Sequence, residues 1–150
     1  MNKSYLCYCG LYCENCAVKA KVEPAAVVLY DEMYKAGFED IIQFIPDGEG
    51  FWRFLKSVSQ DGACVSCQAG SGNPGCAVRI CAKEKEIETC ALCERYPCEI
   101  FDAYFEAYPL LKADNALLRE KGLDAWFEMQ DARRAKGFTY TDSPAGGEGL

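Results

Sequence analysis

Residues 64–98 read CVSCQAGSGNPGCAVRICAKEKEIETCALCERYPC and hold seven of the eleven cysteines in the chain. The other four lie near the N-terminus, and no cysteine occurs between residues 17 and 63 or after residue 98. The chain contains three C-x2-C pairs, formed by Cys13 with Cys16, Cys64 with Cys67, and Cys90 with Cys93. Because each C-x2-C turn supplies two thiolates, two such turns can enclose a tetrahedral metal ion. The pattern predicts a fold held together by metal.

The composition indicates a folded protein that is neither secreted nor inserted in a membrane. Half of the 150 residues are apolar and 13% are aromatic, which favours one domain with a hydrophobic core over a disordered chain. No apolar run is long enough to cross a bilayer, and no leader sequence opens the chain. We therefore expect a cytoplasmic protein. In that reducing compartment, and with an odd number of cysteines, metal binding is the better interpretation than disulfides.

The charge and the missing histidine restrict the possible functions. The net charge of −7 makes nucleic acid an unexpected partner, because a phosphate backbone repels an acidic protein. Since the chain has no histidine, a metal site must be made of cysteine unless a carboxylate or water completes it, and the usual general base near neutral pH is absent. These features argue against an enzyme without excluding one.

The periodicity of apolar residues predicts a mainly α fold, a single small helical domain over residues 1–139 with irregular Cys-rich loops. Residues 140–150 are expected to form a loosely ordered tail. Helices are predicted over 14–23, 24–37, 38–45, 49–60, 76–86, a segment after Pro97, 110–121 and 123–136, the last two hinged at Gly122. Two inward faces are expected, one with Phe51, Phe54, Leu55 and Val58, the other with Leu117, Leu118, Trp126 and Phe127.

The cysteine spacing suggests two metal sites. Cys81, Cys90, Cys93 and Cys98 form C-x8-C-x2-C-x4-C, which is compact enough for one site. Cys13, Cys16, Cys64 and Cys67 would form the second from two C-x2-C arms. Cys9 and Cys76 are further candidate ligands that could replace a member of either set or belong to a third, incomplete site, so the pairing stays open. Cys7 fits no spacing, and we expect it to be a small buried apolar residue.

Zinc is the expected metal, with about two ions per chain. C-x2-C pairs on loops and helix starts are typical of structural zinc sites, and the ferredoxin run C-x2-C-x2-C-x3-C-P is absent. A simple Fe–S cluster held by four cysteines remains the alternative.

An ordered string of residues resembles a known family. It comprises Tyr8-Cys9-Gly10-Leu11, Cys13, Cys16, the segment from Cys76 to Lys85, Thr89-Cys90, Cys93 and Tyr96-Pro97-Cys98. The combination, over roughly residues 5–106, resembles the domain-of-unknown-function 3795 family of small Cys-rich bacterial and archaeal proteins. The resemblance implies metal binding, with zinc as the metal, and implies no particular activity.

These observations together predict a zinc-binding protein in which the metal is structural and which binds another protein or a small ligand. The alternative is an Fe–S protein, or a zinc-dependent redox or hydrolytic enzyme. No membrane partner is expected. The sequence specifies neither the substrate nor the oligomeric state.

Overall fold

The computed structural model describes residues 3–142, and the chain forms two compact units. Unit 1 comprises Met1–Cys16 and Val65–Leu150, and unit 2 comprises Ala17–Cys64. The single-domain boundaries at 1–139 remain a prediction, and residues 143–150 of the predicted tail lie outside the described residues. No helix within residues 3–142 has the length and apolar character needed to cross a membrane.

Unit 2 is a small helical unit whose boundaries follow local stereochemistry. Its elements are a π-helix, Val18–Val22, then α1, Glu23–Lys35, α2, Phe38–Ile41, a 3-10 helix, Ile42–Phe44, and α3, Gly48–Asp61. Pro24 lies in the first turn of α1, where its missing N–H is not needed. After α1, Gly37 adopts a φ of +75°, a conformation that favours glycine. The predicted end of this helix is therefore confirmed.

The helix predicted over 14–23 is wrong in its first half. Cys13–Asn15 is a 3-10 helix that ends at Cys16, which has extended backbone dihedral angles, and the π-helix Val18–Val22 then continues directly into α1. The side chain of Asn15 is fully buried and donates a hydrogen bond of 2.7 Å to Oε1 of Gln130. This turn is therefore fixed by a hydrogen bond to a residue 115 positions away in the sequence and not by local helix propensity.

The core of unit 2 lies between α1 and α3. Trp52, Leu55 and Val58 are its buried residues on α3, and the Trp52 indole stacks on Tyr30 with ring centroids 4.9 Å apart. The expectation that Phe51 and Phe54 face inward is wrong, because they are 45% and 68% exposed. The buried face is centred on Leu55, and Phe54 points about 100° away from it around the helix axis.

Unit 1 contains the remaining described helices. Its elements are the 3-10 helices Lys3–Tyr5, Cys13–Asn15, Cys90–Leu92 and Glu99–Phe101, with α4, Ala77–Glu84, α5, Asp102–Ala107, and α6, Leu110–Ala135. Within residues 3–142 the sole extended pairing is an isolated bridge between Leu6 and Tyr12, so the mainly α prediction is confirmed. Gly122 interrupts α6 with a φ of 84° and a ψ of 176°, as the predicted hinge requires.

The core of unit 1 is built on α6. Leu118, Trp126 and Phe127 are essentially fully buried, and both aromatic rings meet the Tyr12 ring edge-on with centroids 5.7 Å apart. Leu117 is half-buried. Three of the four residues predicted to face inward from this helix are therefore in the core.

A chain of buried polar groups runs beside this core. Gln130 accepts the hydrogen bond from Asn15 and donates one of 2.9 Å to Asp114, which also pairs with Arg133 at 2.6 Å. Asn15, Gln130 and Asp114 are at most 2% exposed. Tyr140 completes the group, because its hydroxyl accepts a hydrogen bond of 2.9 Å from the backbone N–H of Tyr12. Buried polar groups are stable only when partnered, so this network fixes how the N-terminal segment docks on α6.

Candidate metal centre

The eleven cysteines all lie among the described residues, and each is a free thiol. In unit 1 most of them gather into two groups. Group A consists of Cys81, Cys90, Cys93 and Cys98, and group B consists of Cys7, Cys9, Cys13 and Cys67.

Group A lines one small cavity of about 10 Å³. Cys81 comes from α4, Cys90 opens the 3-10 helix Cys90–Leu92 and Cys93 follows it, and Cys98 directly precedes Glu99–Phe101. Burial, together with the negative charges of neighbouring thiolates that include the other three members, raises the pKa of Cys90 to about 12. The Nζ of Lys85 lies 3.9 Å from the Cys93 sulfur. The structure thus brings together the four cysteines of the first predicted site.

The C-x2-C turn of group A is held by an arginine that the sequence analysis did not identify. The backbone N–H of Cys93 donates a hydrogen bond of 2.9 Å to the carbonyl of Cys90, which closes the turn. From α6, the guanidinium of Arg119 donates hydrogen bonds of 2.6 and 3.0 Å to the carbonyls of Ala91 and Cys93. The same guanidinium lies over the ring of Tyr96, 5.8 Å from its centroid. These contacts fix the backbone that presents both thiols.

Group B is centred on Cys7, whose sulfur lies 3.2 Å from that of Cys13. The Cys7 thiol is also hydrogen-bonded to the thiols of Cys67 and Cys9, and these contacts raise the pKa of Cys7 far above its ordinary value. Cys67 shows the opposite effect. The hydrogen bond from Cys7 lowers the pKa of Cys67 to about 6, helped by a backbone hydrogen bond from Tyr8 and by the nearby positive charge of Arg79, against the opposing effect of burial.

A tight turn contains Cys7 and Cys9. The N–H of Gly10 donates to the carbonyl of Cys7 at 2.9 Å, and Gly10 has a φ of +94°. The Asn115 side chain packs against this turn and donates hydrogen bonds of 2.9 Å to the Cys9 carbonyl and to the Tyr96 hydroxyl. A Cβ on Gly10 would lie 1.8 Å from Oδ1 of Asn115, so only glycine fits here.

The structure groups the N-terminal cysteines differently from the second predicted site. Cys13 and Cys67 are together in group B, whereas Cys16 has an exposed side chain. Cys64 is the last residue of unit 2, where the Glu23 carboxylate accepts a hydrogen bond of 3.2 Å from its backbone N–H. The set Cys13, Cys16, Cys64 and Cys67 draws on both units, and it stays a prediction.

Cys76 and Cys7 lie outside both predicted sets of four cysteines. Cys76, a candidate ligand, precedes α4 and its sulfur lies 3.1 Å from the Tyr104 hydroxyl. Cys7, expected to be an apolar filler, is the centre of group B. The spacing of the cysteines does not identify Cys7 as a member of a group, because one of its partners, Cys67, lies in the loop after α3.

The thiols are not arranged as a complete set of metal ligands. Within residues 3–142, no three cysteine or acidic side chains have an arrangement that could hold a metal ion. Sulfur atoms bonded to one tetrahedral zinc at about 2.3 Å lie about 3.8 Å from each other. The sulfurs of Cys7 and Cys13 are closer than this, at 3.2 Å. Zinc binding through both of these sulfurs would require their side chains to rotate apart.

The comparisons with known proteins identify a family. The family described as "Protein of unknown function (DUF3795)" matches residues 5–103. No curated protein and no solved structure matches the chain. The matched segment contains all eleven cysteines and covers about two thirds of the chain. The chain therefore belongs to the domain-of-unknown-function 3795 family.

Proposed function

We propose that this protein binds zinc through Cys81, Cys90, Cys93 and Cys98, and that the metal has a structural role. The observation that supports the proposal best is that these four thiols line one cavity. Four thiolates are the typical ligands of a closed structural zinc site. With no histidine in the chain, no imidazole can take a place among the ligands.

The cysteine spacing favours a single ion over a cluster. C-x2-C pairs are typical of structural zinc sites, and the run C-x2-C-x2-C-x3-C-P of Fe–S proteins is absent from the chain. Four thiolates and one Zn²⁺ carry a net charge of −2. Lys85, whose Nζ lies 3.9 Å from the sulfur of Cys93, partly offsets this charge.

The local secondary structure supports a structural role. Between the end of α4 at Glu84 and the start of α5 at Asp102, the chain has just two 3-10 helices of three residues each. Such a segment lacks the continuous backbone hydrogen bonding of an α-helix. A structural zinc contributes on the order of 10 kcal/mol to folding, which is comparable to the net stability of a domain.

The proposal includes a cytoplasmic location, where thiols stay reduced, and a protein partner. The support for a partner is the exposed aromatic surface of unit 2, where Phe44 is 78% and Phe54 68% exposed. The net charge of −7 disfavours nucleic acid as that partner.

The test is metal analysis of the full chain, purified in reducing buffer, for the wild type and the variants Cys98→Ser and Cys16→Ser. Cys16→Ser is the matched control because its side chain is exposed and outside group A. We expect a colourless zinc protein and the loss of one ion in Cys98→Ser, whereas Cys16→Ser should keep the ion bound by group A.

Chelation is the second arm of this test. It should lower the melting temperature and the helical circular dichroism signal of the wild type. A brown protein containing iron would refute the choice of zinc. Unchanged melting after complete zinc removal would refute the structural role.

A further inference from the structure

Helix α3 has two exposed aromatic side chains on the side that faces away from the core of unit 2. Phe51 and Phe54 lie one turn apart on this helix, and both are exposed, whereas Trp52 and Leu55 are buried. The 3-10 helix Ile42–Phe44 packs against α3 and ends in a third exposed aromatic ring. An apolar surface with a polar rim is typical of a site that binds another molecule.

Two carboxylates bracket the aromatic pair along α3. Asp47 is the N-cap residue of the helix and Asp61 is its last residue, and both are exposed. Asp47, Phe54 and Asp61 are spaced seven residues apart. Since two turns of helix contain about seven residues, these three side chains lie on one side of α3, within about 20° of each other per step.

The negative charge on this side of α3 is not balanced within the helix. The last turn contains no basic residue, and the partial negative charge of the helix C-terminus repels the carboxylate of Asp61. The basic residues of α3, Arg53 and Lys56, point about 100° and 160° away from Phe54 around the axis. Asp61 therefore does not stabilise its own helix, and such a residue indicates a role in binding.

We propose that this side of α3 binds an amphipathic helix of another protein. Apolar side chains of that helix pack on Phe51 and Phe54, and lysine or arginine residues near its two ends pair with Asp47 and Asp61. The two carboxylates are about 21 Å apart along the axis, so the basic residues of the partner are about 14 positions apart. The inference specifies the protein partner and rests on that part of the proposed function, not on the metal.

The charges disfavour the other occupants of this surface. In a symmetric dimer the same surface is used on both copies, so two antiparallel α3 helices would place Asp47 of one copy beside Asp61 of the other. Like charges brought together in this way destabilise a contact. Anionic lipid head groups would meet the same repulsion.

The experiment measures the affinity of the full chain for a synthetic peptide of leucine, alanine and lysine. The peptide has about 18 residues, forms an amphipathic helix and has lysines about 14 positions apart at its ends. Phe54→Ser should weaken binding about tenfold or more, because a phenylalanine side chain no longer becomes buried. Asp61→Asn should weaken it about two- to fivefold at low salt and reduce its salt dependence.

The matched controls are Glu49→Gln and Val28→Ser, and both should bind the peptide as the wild type does. Glu49 is exposed on α3 but points about 140° away from Phe54, and Val28 is an exposed apolar residue of α1. Equal affinity of the wild type and Phe54→Ser would overturn the inference. The same holds for equal affinity of the wild type for a peptide with glutamate in place of every lysine.

Two measurements without the peptide test the other occupants. A wild-type dimer in sedimentation that dissociates in Phe54→Ser would overturn the inference in favour of a second copy. Binding to vesicles of phosphatidylcholine and phosphatidylserine that is lost in Phe54→Ser would overturn it in favour of a membrane.

Zinc content, measured on the same samples, separates this inference from the proposed metal site. Phe54→Ser should keep the zinc and the melting temperature of the wild type, because Phe54 is exposed and lies in unit 2. A zinc protein that does not bind the peptide would overturn the inference and leave the metal site standing. A protein that binds the peptide but contains no zinc would support the inference and refute the metal site.

Discussion

Substitution of Gly10 by alanine tests how tightly the N-terminal turn is clamped by α6. The new Cβ would lie 1.8 Å from Oδ1 and 2.7 Å from Cγ of Asn115, so the amide must move. Its displacement breaks the hydrogen bonds of 2.9 Å to the Cys9 carbonyl and the Tyr96 hydroxyl. Each such bond contributes about 1 kcal/mol, and a positive φ adds about 1–2 kcal/mol of strain for alanine. We expect Gly10→Ala to lower the free energy of unfolding by about 3–4 kcal/mol.

Gly137 is the matched control, because it also has a positive φ, +78°, but has nothing within 4 Å of its would-be Cβ. Gly137→Ala should therefore lose just the strain, about 1–2 kcal/mol. The assay is urea unfolding in a Trp52→Phe background, so that the buried Trp126 alone reports on unit 1. Equal destabilisation by the two substitutions would refute the clamp. In an Asn115→Ala background the difference between them should disappear.

Three further predictions concern other parts of the chain. Burial raises the pKa of Tyr140 above its usual 10.0, so the folded protein favours the neutral phenol over the phenolate. The free energy of unfolding should therefore keep this contribution below pH 10 and lose it as the pH rises above 10. Tyr140→Phe should reduce that loss when unfolding is measured across a series of pH values. In unit 2, Trp52→Ala should lower the unfolding free energy by about 3–5 kcal/mol, and Phe54→Ala, exposed in the structure, should change it by less than about 0.5 kcal/mol. Asp114→Ala leaves the half-buried Arg133 and the amide of Gln130 without their hydrogen-bond acceptor. This substitution should lower the free energy of unfolding by about 3–5 kcal/mol, measured by thermal or urea unfolding.

Each of these predictions has a clear contrary result. An unchanged pH dependence in Tyr140→Phe would mean that the tyrosine does not govern alkaline stability. Equal losses for Trp52→Ala and Phe54→Ala would mean that α3 buries a different face. A loss below about 1 kcal/mol for Asp114→Ala would mean that the buried network contributes no more than a surface ion pair.

Helix boundaries could be predicted from the sequence where a single residue decides the backbone. Pro24 at the start of α1, Gly37 after its end and Gly122 within α6 all act through their own allowed dihedral angles. Such effects do not depend on distant parts of the chain. The same holds for group A, whose members lie within 18 consecutive residues, so that a short connecting chain limits how far apart they can be.

Group B could not be predicted because its members meet through the tertiary fold. Cys67 is 60 residues from Cys7, and Asn115, which fixes the turn at Cys9, is 106 residues from it. An asparagine in a long helix gives no signal that it will clamp a glycine turn elsewhere. The stripe on α3 failed for a related reason, since the choice between Trp52 and Phe54 depended on the stacking partner that α1 supplies, Tyr30.

The bond between Asn15 and Gln130 also sets an order of events during synthesis of the chain. Its two partners are 115 residues apart, which at 5–20 residues per second corresponds to a delay of about 6–23 s on the ribosome. Until the last part of α6 emerges, the N-terminal turn has no surface to dock on, and Cys13 remains open to oxidants and to any passing cation. Docking of the N-terminal segment is therefore a late step of folding, and its thiols stay unburied for the whole of that interval.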